Sequence, residues 1–106
     1  GDATPGGWSM DSATQFTRDA NNKYVFTWEG ELVPGEMKAC LVKDGTFSCP
    51  FLHPKVANTE ISFNGVAAPD FLFYAGDPDH KWKVTKAATY RITFNLKDYT
   101  IAVEKK

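Results

Sequence analysis

Hydrophobic and polar residues alternate with a period of two in several short segments of this chain, as they do in half-buried β-strands. The clearest alternation runs over residues 23–29, where Tyr24, Phe26 and Trp28 fall on one face. Successive side chains of a strand point to opposite sides of a sheet. This segment is therefore predicted to be a strand that turns its three aromatic rings toward the core.

The C-terminal part of the chain holds two further alternating segments, residues 89–96 and 99–104. The short turn between them predicts an antiparallel hairpin. Large apolar side chains on the inward face of these strands and of the preceding segment, residues 80–85, are expected to be core residues rather than ligand contacts: Trp82, Tyr90, Ile92, Phe94 and Tyr99.

The rest of the chain is predicted to consist of short strands and turns. Glycine, proline, asparagine and aspartate recur at intervals of about 8 to 12 residues, and no segment of ten or more residues shows a helical period. This pattern predicts an all-β sandwich. Additional strands are expected at residues 13–17, 36–43, 60–63 and 70–74, and residues 50–59 are expected to form a loop.

Length and charge exclude several classes of function. A chain of 106 residues suffices for one domain with a single core. Twelve basic and thirteen acidic residues give a net charge of -1, so nothing favours nucleic acid or an anionic membrane as a partner. No apolar run approaches the roughly 20 residues of a membrane helix. Neutral ligands fit this composition better.

The two cysteines are candidates for a cross-strand disulfide. Asp44 and Gly45 favour a two-residue type I′ turn, which places Cys40 opposite Cys49. These residues would form a non-hydrogen-bonded pair with Cα atoms about 4.5 Å apart, at the short end of disulfide geometry. A disulfide is typical of secreted or surface domains. Two packed thiols are the alternative.

Signatures of catalysis, metal binding and cofactor binding are missing from the sequence. It contains no G-x-S-x-G, no H-E-x-x-H, no phosphate-binding glycine loop and no C-x-x-C. The cysteines with His53 and His80 match no zinc spacing, and Asp77 with Asp79 supplies too few carboxylates for calcium. Most acidic residues lie in turns, whereas a glycosidase needs two carboxylates across a cleft. The chain is predicted to be non-enzymatic, with no metal and no cofactor.

Both ends of the chain carry recognisable motifs: GDATPGGW at residues 1–8, then KWKV at 81–84, TYRITFNL at 89–96 and TIAV at 100–103. Together they resemble a domain of the SusE/SusF-like outer-membrane starch-binding lipoproteins. The resemblance implies an immunoglobulin-like β-sandwich of about seven to eight short antiparallel strands. It also implies that residues 1–106 are a single domain excised from a longer multidomain lipoprotein, without the strand that precedes the G-D-A-T loop in the family.

The same resemblance implies a carbohydrate site. Sugar rings present apolar C–H faces to aromatic side chains and a rim of hydroxyls to polar groups. Trp8 and Phe47 correspond to the aromatic pair of the family, and Lys38 corresponds to its basic residue. Phe51 is the second choice for the hairpin aromatic, and His53 could add a hydrogen bond.

Each of these residues also has a structural interpretation. Trp8 could anchor its loop to the sandwich as a buried plug, and Lys38 could be an ordinary solvated lysine. Phe47 could pack against Val42 across the hairpin. His53 could be an exposed loop residue.

Three functions follow from these observations. The first is a non-catalytic module that binds starch or another α-glucan on the extracellular side of the outer membrane, within a polysaccharide-utilisation system. The second is a structural spacer or protein-interaction domain with no sugar site, and the third is a binder of a different polysaccharide. In each case we expect a monomeric domain that contacts the membrane only through a lipid anchor outside this chain and binds no nucleic acid.

Overall fold

The structure is a computed structural model that describes residues 1–9, 12–40, 51–54, 57–61, 66–68, 71–74, 80–98 and 100–106. Within these residues the chain is all-β and contains no α-helix, as predicted. The strands are β1 (Thr17–Arg18), β2 (Val25–Leu32), β3 (Gly35–Met37), β4 (Ala39–Cys40), β5 (Phe51–Pro54), β6 (Thr59–Glu60), β7 (Val66–Ala68), β8 (Phe71–Tyr74), β9 (Trp82–Val84), β10 (Ala88–Asn95) and β11 (Thr100–Lys105).

These strands form three sheets. The largest has the order β1-β2-β10-β11-β7, and the two smaller sheets have the orders β3-β9-β6 and β4-β5-β8. All pairings are antiparallel except the parallel pair β6–β9. Only Lys38 separates β3 from β4, so one stretch of chain passes from the second sheet into the third.

The predicted C-terminal hairpin is confirmed. Strands β10 and β11 pair from Tyr90 opposite Lys105 to Asn95 opposite Thr100. On its other side β10 pairs with all eight residues of β2. Three inward residues of β10 are buried as expected: Tyr90, Ile92 and Phe94.

The core joins side chains from all three sheets. The five-stranded sheet contributes Leu32, Tyr90, Ile92, Phe94, Ile101 and Val103. The two smaller sheets, with the residue that follows β6, contribute Met37, Leu52, Ile61, Trp82 and Val84. Trp82 is fully buried, as predicted. This arrangement is compatible with a β-sandwich.

Residues 51–54 differ from the prediction of a loop. They form β5, which pairs with β4 on one side and β8 on the other, and every residue of the strand is buried. Proline is rare in central strands because it cannot donate to the ladder. Pro54 is accommodated because it is the last residue of β5. Residues 66–68 were also expected to be loop and form β7.

Tyr24 differs from the prediction of a core residue. Strand β2 begins at Val25, whereas the predicted strand began at residue 23, and Tyr24 is 39% exposed. Its backbone N–H donates to the Asn22 side chain at 3.0 Å, so the residue belongs to the preceding turn. Phe26 and Trp28 do lie on the inner face of β2, but they are only half-buried. The strand predicted at 13–17 is confined to Thr17–Arg18.

Replacing Tyr90 by phenylalanine is expected to lower the free energy of unfolding by about 0.5–1.5 kcal/mol. The hydroxyl of the fully buried Tyr90 donates to the Lys86 carbonyl at 2.8 Å, and the variant loses this hydrogen bond, although water can reach the exposed Lys86. Urea unfolding at pH 7 measures the change. Tyr24→Phe, at an exposed position, is the control and should leave stability within about 0.5 kcal/mol.

The same variant should alter stability at alkaline pH. Burial, and then the nearby carboxylate of Glu60, raise the pKa of Tyr90 above its ordinary value of 10.0. Above pH 10 the folded state therefore holds a proton that the unfolded state loses, so stability falls as pH rises. Tyr90→Phe should remove that part of the alkaline loss. An identical alkaline slope in both proteins would contradict the assignment.

Candidate functional site

The N-terminal loop is held against the sandwich by its G-D-A-T segment. Ala3 is buried, and its N–H donates to the Glu36 carbonyl at 3.2 Å while its own carbonyl accepts from Val33 N–H at 3.0 Å. The Asp2 carboxylate accepts from Glu36 N–H at 2.6 Å. Within the loop, the Thr4 hydroxyl donates to the Gly1 carbonyl at 2.7 Å. These bonds give the loop a fixed position on β3.

Trp8 follows this docked segment and remains accessible. Its side chain is 36% exposed, and the ammonium of Lys81 lies 5.8 Å from the centre of its ring. The residue that is buried and anchors this loop to the sandwich is Ala3, which is 1% exposed, and not Trp8. Lys81 was not among the predicted site residues, although it directly precedes the inward Trp82 and successive side chains of a strand point to opposite sides of a sheet.

Lys38 and Phe51 are in direct contact. The Lys38 ammonium lies 4.1 Å from the centre of the Phe51 ring, within the range of a cation–π interaction. Lys38 is half-buried, and Phe51 is 4% exposed. Phe51 is therefore placed to hold the lysine, and little of its ring is accessible to a ligand. Phe47, the first choice for the hairpin aromatic, lies outside the described residues.

The register of the hairpin differs from the predicted one. Cys40 lies opposite Phe51, whereas the assumed two-residue turn placed it opposite Cys49. The offset is two residues. Because directly opposite residues of an antiparallel pair share a face of the sheet, Phe51 lies on the face of Cys40. Cys49 is outside the described residues, so the disulfide stays a prediction.

His53 does not belong to this group of side chains. It is 2% exposed, so the expectation of an exposed loop residue is wrong, because β5 carries it into the interior. Its Nδ1 lies 2.9 Å from the Pro54 carbonyl, and Nδ1 of His80 lies 3.2 Å from the same oxygen. A carbonyl only accepts, so each Nδ1 is the donor. The two rings meet edge to face at 5.5 Å.

A cavity of about 520 Å³ is lined by three of the predicted site residues, Trp8, Lys38 and Phe51. Its exposed lining residues, which mark the rim, include Trp8, Ser9 and Gln15, and its buried ones, which mark the floor, include Leu32, Leu52, Ile92 and Phe94. The site thus combines the exposed indole of Trp8 and the half-buried ammonium of Lys38 with an apolar floor.

No protein family, curated protein or solved structure matches this chain significantly. The function has to be argued from the geometry of Trp8, Lys38 and the cavity.

In the part of the chain that the structure describes, no three histidine, cysteine or acidic side chains are grouped so that they could hold a metal ion. Among the same residues there is no helix of the length and apolarity that crossing a bilayer requires.

Proposed function

We propose that this chain is a non-catalytic carbohydrate-binding module that binds starch or another α-glucan through Trp8 and Lys38. The observation that carries the proposal is an exposed indole on a tightly docked loop, at the rim of the cavity that Lys38 also lines. The proposal includes a lipid-anchored parent protein on the outer membrane and a place in polysaccharide utilisation, which rest on the sequence resemblance.

Trp8 and Lys38 together match the chemistry of a sugar. An indole face covers the C–H face of a glucose ring, and an ammonium donates to its hydroxyls. The contact with Phe51 restricts the Lys38 side chain before any ligand arrives, which reduces the entropy lost on binding. Because Phe51 supports the lysine, Trp8 is the main stacking surface among the described candidates.

An immunoglobulin-like topology belongs to the same proposal. Domains of that class carry a tyrosine near the start of a late strand whose hydroxyl bonds to the backbone a few residues upstream. Tyr90, near the start of β10, donates to the carbonyl of Lys86, four residues before it. This contact supports the immunoglobulin-like sandwich.

Two other functions compete with α-glucan binding. The burial of Phe51 favours a spacer or protein-interaction domain, since Trp8 is then the one exposed ring among the described site candidates and offers less surface for stacking than a pair. A binder of a different polysaccharide would use the same Trp8 and Lys38 with another sugar geometry.

Calorimetric titration with maltoheptaose tests the proposal, with cellohexaose as the β-linked control. We expect saturable binding of maltoheptaose alone. Trp8→Ala should weaken it at least tenfold, equal to about 1.4 kcal/mol, and Lys38→Ala should weaken it about tenfold or more, because one lost charged hydrogen bond is worth about 1.5–3 kcal/mol. Thermal unfolding should show that both variants stay folded.

Tyr24→Ala is a matched control for Trp8→Ala. Tyr24 is a similarly exposed aromatic residue, and the ammonium of Lys23 lies 5.4 Å from the centre of its ring. This variant should bind maltoheptaose like the unmodified protein. Absence of heat with both oligosaccharides would contradict the proposal and favour the spacer, and binding of cellohexaose alone would favour a different polysaccharide.

A further inference from the structure

The cavity behind Trp8 is larger than stacking of a sugar on its rim requires. Protein interiors are close-packed, with few voids larger than a water molecule. At about 520 Å³ this cavity falls in the volume range of small-molecule sites. It is more than three times as large as a cavity of roughly 150 Å³ that binds benzene.

The space arises where the inner face of β2 is incompletely covered. Phe26 and Trp28 are half-buried, whereas Phe94 and Ile92, their partners on β10, are buried. The ring of Phe16 lies 6.4 Å from that of Trp28 and 5.4 Å from that of Phe94. These rings form an aromatic wall that continues inward from the rim.

The described floor of the cavity offers no polar side chain to a sugar. Leu32, Leu52, Ile92 and Phe94 carry only hydrocarbon, and their backbones belong to strands. A hydroxyl placed among them would lose its hydrogen bonds to water without regaining them. A methylene group would gain affinity by leaving water. The floor therefore selects alkyl groups.

We propose that the cavity takes up an alkyl chain joined to the glycan, so that the preferred ligand is an amphiphilic saccharide. The sugar part rests on the proposed function: the head stacks on Trp8 and bonds to Lys38. The alkyl chain passes between them onto the floor formed by Ile92 and Phe94.

A series of alkyl maltosides from hexyl to dodecyl, each below its micelle concentration, tests this inference by calorimetry. Burial of one methylene contributes about 0.8 kcal/mol, so affinity should rise about fourfold per added methylene until the cavity is filled. Maltose and maltoheptaose are measured beside the series, because they report the sugar site alone.

Variants that fill the cavity provide the decisive comparison. Ala39→Leu and Ala13→Leu each add bulk to a lining residue, and two variants are used in case one does not fold. Both should reduce the dependence on chain length while leaving maltoheptaose binding in place. Ala102→Leu is the matched control, since Ala102 lies opposite Thr93 on β10 and outside the cavity lining.

The outcomes separate the two proposals. Equal affinity along the series, or an unchanged dependence in both folded filling variants, would overturn the alkyl site even if maltoheptaose binds. A chain-length dependence that Ala39→Leu or Ala13→Leu reduces and Ala102→Leu does not would support it. If that dependence occurs without any binding of maltoheptaose, the alkyl site stands and the proposed glycan function is contradicted.

Discussion

Replacing Trp82 by alanine is expected to lower the free energy of unfolding by about 3–5 kcal/mol. Trp82 is fully buried on β9, the central strand of its sheet, where it lies opposite Met37 on β3 and Thr59 on β6. Its ring centre is 5.7 Å from that of Phe94 on the opposite sheet. Deleting the indole therefore opens a void between the layers. Since small domains are stable by about 5–15 kcal/mol, the loss is a large part of the total.

Urea unfolding followed by circular dichroism measures this effect, with Lys83→Ala as the control. Lys83 is the exposed neighbour of Trp82 on the same strand, so its truncation should change stability by less than about 0.5 kcal/mol. Similar midpoints for Trp82→Ala and the unmodified protein would contradict the packing described for the core.

Trp82→Phe should be much milder than Trp82→Ala. The Nε1 of Trp82 is buried and has no hydrogen-bond partner among the described residues. The phenylalanine variant removes this unsatisfied donor while it keeps an aromatic ring against Phe94. We expect a loss of about 2 kcal/mol or less, from the smaller volume. A loss equal to that of Trp82→Ala would contradict the expectation that an aromatic ring against Phe94 stabilises the core at this position.

The C-terminal hairpin could be predicted because the sequence pattern that defines it is local. In β10 the alternation of Tyr90, Ile92 and Phe94 with polar residues matches the burial of successive side chains. A short turn then fixes the register with β11. Residues 51–54 were predicted to be a loop because Pro54 is uncommon in central strands, and the pairing with β4 and β8 explains why they form a buried strand.

The candidate site could be predicted only in part. Trp8 and Lys38 were expected at one site and both line the cavity. The contact of Lys81 with Trp8 and the burial of His53 depend on tertiary packing between distant segments. The anchoring role of Ala3 could not be predicted either, because a small residue in a turn belongs to no periodic pattern that would indicate its burial.

Gly35→Ala is expected to undock the loop that carries Trp8. Gly35 has φ of +157°, a backbone conformation that side-chain-bearing residues rarely adopt, at a cost of about 1–3 kcal/mol. An added Cβ would also lie 2.8 Å from Oδ1 of Asp2 and 3.0 Å from the backbone N of Ala3. The carboxylate can rotate away, but the backbone of Ala3 is held by its bonds to Glu36 and Val33. We therefore expect lower stability together with weaker maltoheptaose binding.

Gly7→Ala separates backbone strain from loss of docking. Gly7 has φ of +61°, and an added Cβ there meets nothing within 4 Å, so this variant should lose only about 1–2 kcal/mol of stability. If both variants lose the same stability and bind maltoheptaose equally, the close contact of Gly35 with residues 2 and 3 does not position Trp8. If Gly35→Ala alone loses binding, the G-D-A-T segment acts through its bonds to β3, and the accessible indole depends on a glycine 27 residues away in sequence.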